Sequence, residues 1–360
     1  MAIARATSSA LMELIGSRLP IVQAPMAGVS TPEMAAAVSN AGALGSIGVG
    51  ATDAEGARKM IRAVRAQTNH AFNVNVFCHR RARSQFAIES AWIERLRPEF
   101  ARFESTPPSA LHEIYRSFVD DDAMLAMILE EKPRVVSFHF GLPSPERVKA
   151  ILDAGIVLFG SATNLVEAHE LVRAGVHVIV AQGYEAGGHR GVFDPDVLDD
   201  RLGTVALTRL LVRNLEVPII AAGGIMDGAG IAAMLRLGAA AAQLGTAFIA
   251  CDESQADAGY RAALFSDAAH HTAMTRAISG RPARCLANRF TAISEGLSDA
   301  EIPDYPIAYD AGKALHAAAK AKGEFGFGAQ WAGQSAPLAR RVSSAALIEE
   351  LVGEMTLTDN

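Results

Sequence analysis

The stretch VPIIAAGGIMDGAGIAAMLRLGAAAAQLGTAF, residues 217–248, contains two apolar runs separated by a helical pattern. Val217–Gly224 and Ala241–Phe248 are apolar on both faces, which predicts parallel strands covered on both sides of a sheet. Asp227 follows the glycines of the first run and is predicted to begin the helix between the strands. The stretch therefore predicts one β-α-β unit of a parallel α/β fold.

The same alternation continues along the chain and predicts eight strands with helices between most of them. The predicted strands are Ile21–Met26, Ala43–Gly48, Phe72–Phe77, Val135–Phe140, Ile156–Ser161, Val176–Gly183, Val217–Gly224 and Ala241–Phe248. Thr31-Pro32 and Ser144-Pro145 are predicted helix starts, and Asn164 is predicted to cap a helix that Gly175 ends. Eight β-α repeats favour a (β/α)8 TIM barrel. A doubly wound open sheet is the alternative, weakened because no Gly-x-Gly-x-x-Gly turn with a downstream acidic residue follows the first strand.

Two segments are too long to be simple barrel connections. Residues 81–132 are predicted to form several helices broken at prolines, and residues 251–309 follow the last strand. Both leave from C-terminal strand ends, the catalytic face of such barrels, so we expect them to form a smaller, mainly helical lid domain. The barrel then comprises residues 1–80, 133–250 and 310–360, with Pro337–Met355 as its closing helix.

Composition limits the possible classes of function. The chain has 360 residues, is 50% hydrophobic and 20% charged, and has a formal net charge of −6. These values predict a folded protein that does not bind nucleic acid. Three scattered cysteines exclude a disulfide framework and favour the cytoplasm. The sequence leaves the oligomeric state open. We expect no signal peptide in residues 1–17, no membrane helix and no metal site.

Two adjacent strand ends have residues suited to a phosphate group. Ala221–Ile225 contains Gly223 and Gly224, and the next strand ends in Gln243-Leu244-Gly245-Thr246. Barrels commonly bind phosphate here on backbone N–H groups, and the Thr246 hydroxyl adds a donor. The alternative is that these glycines only terminate strands.

A glycine-rich loop with one histidine follows the sixth predicted strand. This loop, AQGYEAGGHRG at residues 181–191, presents His189 between glycines that let the backbone approach a flat ligand. A plain turn with a solvated histidine is the alternative. Ala24-Pro25-Met26, Asn75 and Gln182 also lie at strand ends, where small residues and amides could contact such a ligand.

These motifs together resemble nitronate monooxygenase, formerly called 2-nitropropane dioxygenase. The matching stretches are Ala24-Pro25-Met26, Asn75, Ala186–Gly191, Ala222–Ile225 and Gln243–Thr246. The histidine motif and Trp331-Ala332-Gly333-Gln334 resemble class I of that family. The resemblance extends from about Leu19 to the C-terminal helix.

The resemblance implies an FMN-dependent enzyme that needs no nicotinamide. Alkyl nitronates, especially propionate 3-nitronate, would reduce the flavin by one electron, and O2 would complete conversion to an aldehyde or semialdehyde plus nitrite. His189 matches the catalytic histidine and would orient and charge-balance the nitronate, or act as base toward a neutral nitroalkane. The implied cofactor-binding residues are Ala24, Pro25, Met26, Asn75, Gln182, Gly187, Gly188, Gly223, Gly224, Gln243, Leu244, Gly245 and Thr246.

The tyrosines fit a substrate cavity of that family. Tyr305, Tyr309 and Lys313 recur at i, i+4 and i+8 and would share one helix face, with Lys313 offering a positive charge to the substrate. Tyr115 and Tyr260 lie in the two lid segments, and His139 ends the fourth predicted strand. Packed tyrosines beside a surface lysine, and a core histidine, are the structural alternatives.

Three other functions remain open from the sequence. The first is an NAD(P)H-dependent flavin reductase of the same barrel superfamily, acting on quinones or enoyl thioesters. The second is a flavin- or phosphate-binding sensor without turnover. The third is a covalent role for Cys251, which follows the last strand as the nucleophile does in inosine-monophosphate-dehydrogenase-like barrels, although the surrounding sequence does not resemble that loop.

Overall fold

The structure is a computed structural model that describes residues 2–357. Its strands, in chain order, are β1 (Ile21–Gln23), β2 (Gly45–Gly48), β3 (Phe72–Phe77), β4 (Val135–His139), β5 (Val157–Ala162), β6 (Val178–Gln182), β7 (Gly188–His189), β8 (Ile219–Ala222), β9 (Ala241–Leu244), β10 (Thr272–Thr275) and β11 (Ala283–Leu286). Its α-helices are α1 (Ala2–Ile15), α2 (Pro32–Asn40), α3 (Ala54–Arg65), α4 (Phe86–Arg102), α5 (Asp122–Glu131), α6 (Pro145–Asp153), α7 (Leu165–Arg173), α8 (Thr204–Asn214), α9 (Gly228–Arg236), α10 (Thr246–Ile249), α11 (Ala258–Leu264), α12 (Arg289–Ile293), α13 (Ile307–Ala321) and α14 (Ser344–Leu357).

Eight parallel strands form the barrel. They pair in the order β1-β9-β8-β6-β5-β4-β3-β2, and a parallel bridge between Val22 and Leu44 joins the first strand to the last. The N–H of Gln23 donates to the carbonyl of Leu44 at 2.9 Å across this seam. The predicted TIM barrel is confirmed, and the open doubly wound sheet is wrong.

Most of the predicted helix N-termini are confirmed by capping hydrogen bonds. The side chains of Thr31, Asn164 and Asp227 accept from backbone N–H groups in the first turns of α2, α7 and α9. Ser144 precedes α6 without a side-chain capping bond. The last predicted strand is too long, because Gly245 turns the chain after Leu244 and Thr246 begins α10.

Apolar packing closes one end of the barrel. Leu11 and Ile15 of α1 are buried in the same cluster as interior side chains such as Val22, Phe159 and Val180. The outer faces of the strands pack against the surrounding helices in two further clusters, and α14 contributes Leu347, Ile348 and Leu351 to one of them. Because α1 fills the N-terminal end, a ligand site is left for the C-terminal ends of the strands.

The lid contains helices and one small sheet. Trp92 and Leu96 of α4 pack against Ala311 and Leu315 of α13 in a separate hydrophobic cluster. Strands β10, β11 and β7 form a three-stranded antiparallel sheet that the sequence analysis did not include, because the two lid strands are only four residues long. Register places Ala283 of β11 opposite His189, so the lid sheet holds the histidine loop directly.

The proposed division between barrel and lid stays a prediction. Apolar packing crosses both boundaries: α5 packs on the barrel helix α3, and α13 packs on α4. Residues 1 and 358–360 of the predicted barrel ranges lie outside the described residues. Within residues 2–357, none of the helices combines the length and apolar character needed to span a bilayer.

Candidate active site

A cavity of about 440 Å³ opens at the C-terminal ends of the barrel strands and is covered by the lid. This volume is typical of small-molecule and cofactor sites. Nineteen of the twenty predicted site residues line the cavity: Ala24, Pro25, Met26, Asn75, Tyr115, His139, Gln182, Gly187, Gly188, His189, Gly223, Gly224, Gln243, Gly245, Thr246, Tyr260, Tyr305, Tyr309 and Lys313. Leu244 is the exception, since it is buried outside the barrel among the apolar residues of α2 and α14.

The ends of β8 and β9 form a wall of glycines and hydroxyls. Gly223 and Gly224 have φ angles of +119° and +69°, a left-handed conformation that favours glycine. The Thr246 hydroxyl oxygen accepts from the N–H of Gly333 at 3.0 Å, which leaves its proton free to donate. Ser335 adds a second hydroxyl to the wall. The wall therefore offers donors and no negative charge of its own.

Two amides at strand ends are held by hydrogen bonds. Asn75 Nδ2 donates to the carbonyl and the hydroxyl of Ser137 at 3.1 and 2.9 Å, so its oxygen is left for a ligand. Gln182 uses both ends of its amide on the histidine loop. Its Nε2 donates to the carbonyl of His189 at 3.0 Å, and its Oε1 accepts from the N–H of Gly191 at 2.7 Å. Gln182 therefore positions the loop as well as lining the cavity.

His189 lies on β7 in an aromatic environment. Its ring centroid is 5.0 Å from that of Trp331, 5.3 Å from Tyr305 and 6.1 Å from Tyr309. Its Nε2 lies 2.9 Å from the hydroxyl oxygen of Ser279. Burial, followed by the nearby His139 and the Arg281 guanidinium, holds the pKa of His189 well below its usual value. Burial therefore favours the neutral imidazole form of His189.

His139 supports the His189 backbone. Its Nδ1 lies 3.0 Å from the Ser161 hydroxyl, and its Nε2 lies 3.2 Å from the carbonyl of His189. Burial lowers its pKa to about 4. Since a carbonyl only accepts, Nε2 carries the proton and Nδ1 accepts from Ser161.

One side of the cavity is a wall of phenols with one cation. Lys313 Nζ lies 4.9 Å from the Tyr115 ring centroid and 5.4 Å from that of Tyr309, and partial burial lowers its pKa. Tyr309 and Lys313 lie on α13, but Tyr305 precedes the helix because Ile307 begins it after Pro306. The predicted shared face therefore holds for two of the three residues, although all three line the cavity.

Tyr260 is engaged elsewhere in the cavity wall. Its hydroxyl donates to the carbonyl of Trp331, and burial raises its pKa well above the usual value. This bond holds the segment that carries Trp331, which packs beside His189. Tyr260 is therefore a neutral wall residue whose proton is already used.

The sequence analysis missed three residues that contact His189 or its loop. Ser279 bonds the imidazole, Trp331 packs on it, and the buried Arg281 donates to the carbonyls of Val192 and Phe193. Trp331 belonged to a quoted motif but was given no role. Ser279 and Arg281 gave no signal, because nothing local marks a serine or arginine some 90 residues away in sequence as a contact of the loop.

Cys251 is no candidate nucleophile. Its thiol is fully buried in the apolar cluster outside the barrel and does not line the cavity. Burial raises its pKa to about 12, so the thiolate is disfavoured.

Comparison with known proteins decides the family. The sequence model of the nitronate monooxygenase family matches residues 8–354. The chain belongs to the nitronate monooxygenase family. It is 62% identical to a nitronate monooxygenase from Paraburkholderia phytofirmans, over 96% of this chain and 94% of the relative, and 52% identical to one from Pseudomonas aeruginosa, over 95% and 97%. The predicted family and the predicted enzyme class are thereby confirmed.

Solved structures agree with this membership. A nitroalkane oxidase from Streptomyces ansochromogenes superposes with a TM-score of 0.88 at 38% identity, covering 97% of this chain and 99% of that one. FabK from Thermotoga maritima superposes with a TM-score of 0.74 at 28% identity, covering 97% and 96%. The nitronate monooxygenase family consists of flavin-dependent enzymes, and the cavity lies where a flavin was predicted.

Proposed function

We propose that this member of the nitronate monooxygenase family binds FMN and oxidises alkyl nitronates with O2. The observation that carries the proposal is the arrangement of two different walls in one cavity, one of them around His189. Tyr305, Tyr309 and Trp331 surround the imidazole, Lys313 lies beside Tyr309, and the glycine and hydroxyl wall of β8 and β9 borders the same cavity. One wall suits a phosphate and the other an anionic organic substrate.

The residues present fit FMN. Gly223, Gly224, Gly245 and the hydroxyls of Thr246 and Ser335 are suited to the phosphate, because they provide donors and close backbone approach. Asp257 is the one carboxylate among the described residues of the lining, and it is paired with Lys320 at 2.8 Å. The Ala24-Pro25-Met26 segment and the Asn75 oxygen are suited to the ring and the ribityl chain.

Lys313 is the residue suited to a substrate carboxylate. Its ammonium contacts two aromatic rings and, within the described part of the chain, pairs with no carboxylate. A nitronate that carries its own carboxylate, such as propionate 3-nitronate, would supply the missing anion. Because burial favours the neutral form of His189, we propose that Lys313 supplies positive charge at this wall, and the charge-balancing role of the histidine stays a prediction.

The proposed reaction adds one oxygen atom to each nitronate. The C–N bond breaks, a primary nitronate becomes an aldehyde, and nitrite leaves. One O2 supplies one oxygen atom to each of two nitronates, so that two nitronates and one O2 give two aldehydes and two nitrites. Bound FMN would supply the electron-accepting chemistry. His189 would accept the proton from the carbon of a neutral nitroalkane. The aromatic wall of Tyr305, Tyr309 and Trp331 would exclude water from the reacting carbon.

Product analysis tests the proposal. The purified protein is given propionate 3-nitronate, and oxygen uptake, nitrite and the semialdehyde are measured, while mass spectrometry identifies the flavin released on denaturation. We expect FMN and nitrite formed in step with nitronate loss. Another flavin, or oxygen-independent loss of nitronate, would contradict the proposal.

The three buried cysteines are consistent with a reducing compartment. Cys78, Cys251 and Cys285 are all free thiols. We therefore propose the cytoplasm as the site of action.

A further inference from the structure

Ser279 forms hydrogen bonds that favour one protonation pattern of the His189 ring. The hydroxyl of Ser279 lies 3.2 Å from the carbonyl oxygen of Arg281, to which it donates, and 2.9 Å from Nε2 of His189. A hydroxyl has one proton, and the carbonyl has none to give. With that proton directed at Arg281, the Ser279 oxygen accepts from His189, so Nε2 carries the imidazole proton.

The other ring nitrogen is left for the cavity. Nδ1 of His189 has no hydrogen-bond partner among residues 2–357, and it is not among the polar atoms sealed from solvent. The residue lines the cavity, so Nδ1 reaches the open space that a substrate would occupy. A neutral imidazole protonated at Nε2 presents a lone pair at Nδ1.

We propose that Ser279 is a positioning residue that holds His189 as the Nε2-protonated tautomer and directs the Nδ1 lone pair at the substrate. This inference rests on the proposed function only for the identity of that substrate. It specifies that His189 acts through Nδ1, as the acceptor of the carbon proton of a neutral nitroalkane. The assigned tautomer concerns the aromatic wall around His189. It does not alter the residues proposed to bind the flavin.

The buried Arg281 holds this arrangement in place. Its backbone N–H approaches the Ser279 oxygen at 3.4 Å, while its guanidinium donates to the carbonyls of Val192 and Phe193 just after the histidine. The guanidinium carbon also lies 4.2 Å from the centroid of the Phe140 ring, whose centroid is 5.6 Å from that of His189. One side chain thus joins the Ser279 turn to the His189 loop.

Nitrogen NMR of the flavin-loaded protein tests the tautomer directly. The two ring nitrogens of His189 are assigned among the ten histidines by comparison with His189→Asn. We expect a protonated, pyrrole-type signal at Nε2 and an unprotonated, pyridine-type signal at Nδ1 at neutral pH. The reverse assignment, or a charged ring, overturns the inference even when nitronate is turned over normally.

Variants of Ser279 test its positioning role. Ser279→Ala is expected to lower kcat/KM for a neutral nitroalkane about tenfold, as loss of one hydrogen bond to the ring implies, with unchanged flavin content. Ser279→Thr keeps a hydroxyl and is expected to retain the wild-type tautomer and most of the activity. Ser294→Ala is the control, because among the described residues that hydroxyl bonds Thr275 and Thr291 in the lid and no residue of the histidine loop.

The outcomes separate this inference from the proposed function. A Ser279→Ala enzyme with wild-type kinetics and an unaltered His189 signal overturns the role of Ser279 and leaves the reaction standing. Absence of nitronate turnover in the wild-type protein overturns the reaction, while the nitrogen signals still report the tautomer.

Discussion

Lys313 Nζ lies 4.9 Å from the centroid of the Tyr115 ring, although Tyr115 comes from the first predicted lid segment and Lys313 from α13. Within the described structure, Lys313 contacts the phenolic wall and has no carboxylate partner. If this ammonium binds a substrate carboxylate, it increases the affinity only for substrates that carry a carboxylate.

Lys313→Met is expected to raise KM for propionate 3-nitronate about tenfold, because a charge-assisted hydrogen bond is lost. KM for ethyl nitronate, which has no carboxylate, is expected to change less than threefold. Steady-state kinetics on both substrates measures the ratio. Lys322→Met is the matched control, since Lys322 follows the same helix and pairs with Glu104 away from the cavity. Equal losses on both nitronates would contradict the carboxylate assignment.

His189→Asn separates the two roles open to the histidine. Asparagine can still hydrogen-bond a substrate, but it does not accept a proton from carbon at neutral pH. Activity on a neutral nitroalkane should therefore fall about 100-fold or more, and activity on the preformed nitronate should fall less. Oxygen uptake with each substrate, at equal flavin content, gives the comparison. Wild-type rates on both substrates would refute any catalytic role.

Thr246→Val tests the phosphate wall. The variant keeps the shape of the side chain but removes the hydroxyl, so the affinity for FMN is expected to fall about tenfold. Titration of the flavin-depleted protein, followed by flavin fluorescence, measures the dissociation constant. Thr208→Val is the control, because the buried Thr208 hydroxyl on α8 has no partner in the described structure. The same affinity in both variants would place the phosphate elsewhere.

Gly280 lets the Ser279 turn pack against the segment that carries Tyr305. It has a φ of +91°, and an added Cβ would lie 2.5 Å from both the Pro303 oxygen and the Tyr305 nitrogen. Gly280→Ala is therefore expected to lower the free energy of unfolding by about 3 kcal/mol or more, from strain and overpacking together.

Gly296→Ala isolates the contribution of backbone strain. Its φ is +79° in the same lid, and an added Cβ would meet nothing within 4 Å. This variant is expected to lose only about 1 kcal/mol. Denaturant unfolding of both variants checks the difference, and equal losses would show that the contact with Tyr305 does not matter.

Buried histidines make stability depend on pH. Burial and the charge of Arg281 lower the pKa of His79 to about 4, and burial lowers that of His139 to about 4. Because the unfolded chain binds these protons at about pH 6.5 and the folded chain does not, stability is complete above pH 6.5 and falls as pH decreases toward 4.

His79→Phe tests this linkage. Each such histidine contributes a slope of about 1.4 kcal/mol per pH unit near pH 5, so the variant should show a slope smaller by that amount. Unfolding free energies at pH 7, 6 and 5 measure it. An unchanged slope would mean that His79 is protonated in the folded protein.

The sequence was sufficient to predict where the site lies. Runs that are apolar on both faces identify parallel strands, and their C-terminal ends must meet at one face of a barrel. Gly223, Thr246, Asn75 and His189 therefore converge, although each is separated from the next by dozens of residues. The eight repeats of an apolar strand followed by a helical segment are therefore enough to predict that these residues lie at one end of the barrel.

Other features required the coordinates. Leu244 was predicted as a cavity residue, yet strand alternation directs Gln243 inward and Leu244 outward, a signal that the motif match obscured. Ser279 and Arg281 reach His189 only through the register of β7 with β11. Long-range antiparallel pairing between strands of two and four residues leaves no periodic trace in the sequence.

The most direct test mixes the flavin-loaded protein with propionate 3-nitronate in the absence of O2 and follows the visible spectrum of the flavin. The account predicts rapid loss of the oxidised-flavin spectrum with the nitronate and no comparable change with NADH or NADPH. A flavin that ignores the nitronate and is bleached by a reduced nicotinamide would contradict the account and identify a nicotinamide-dependent reductase on the same barrel.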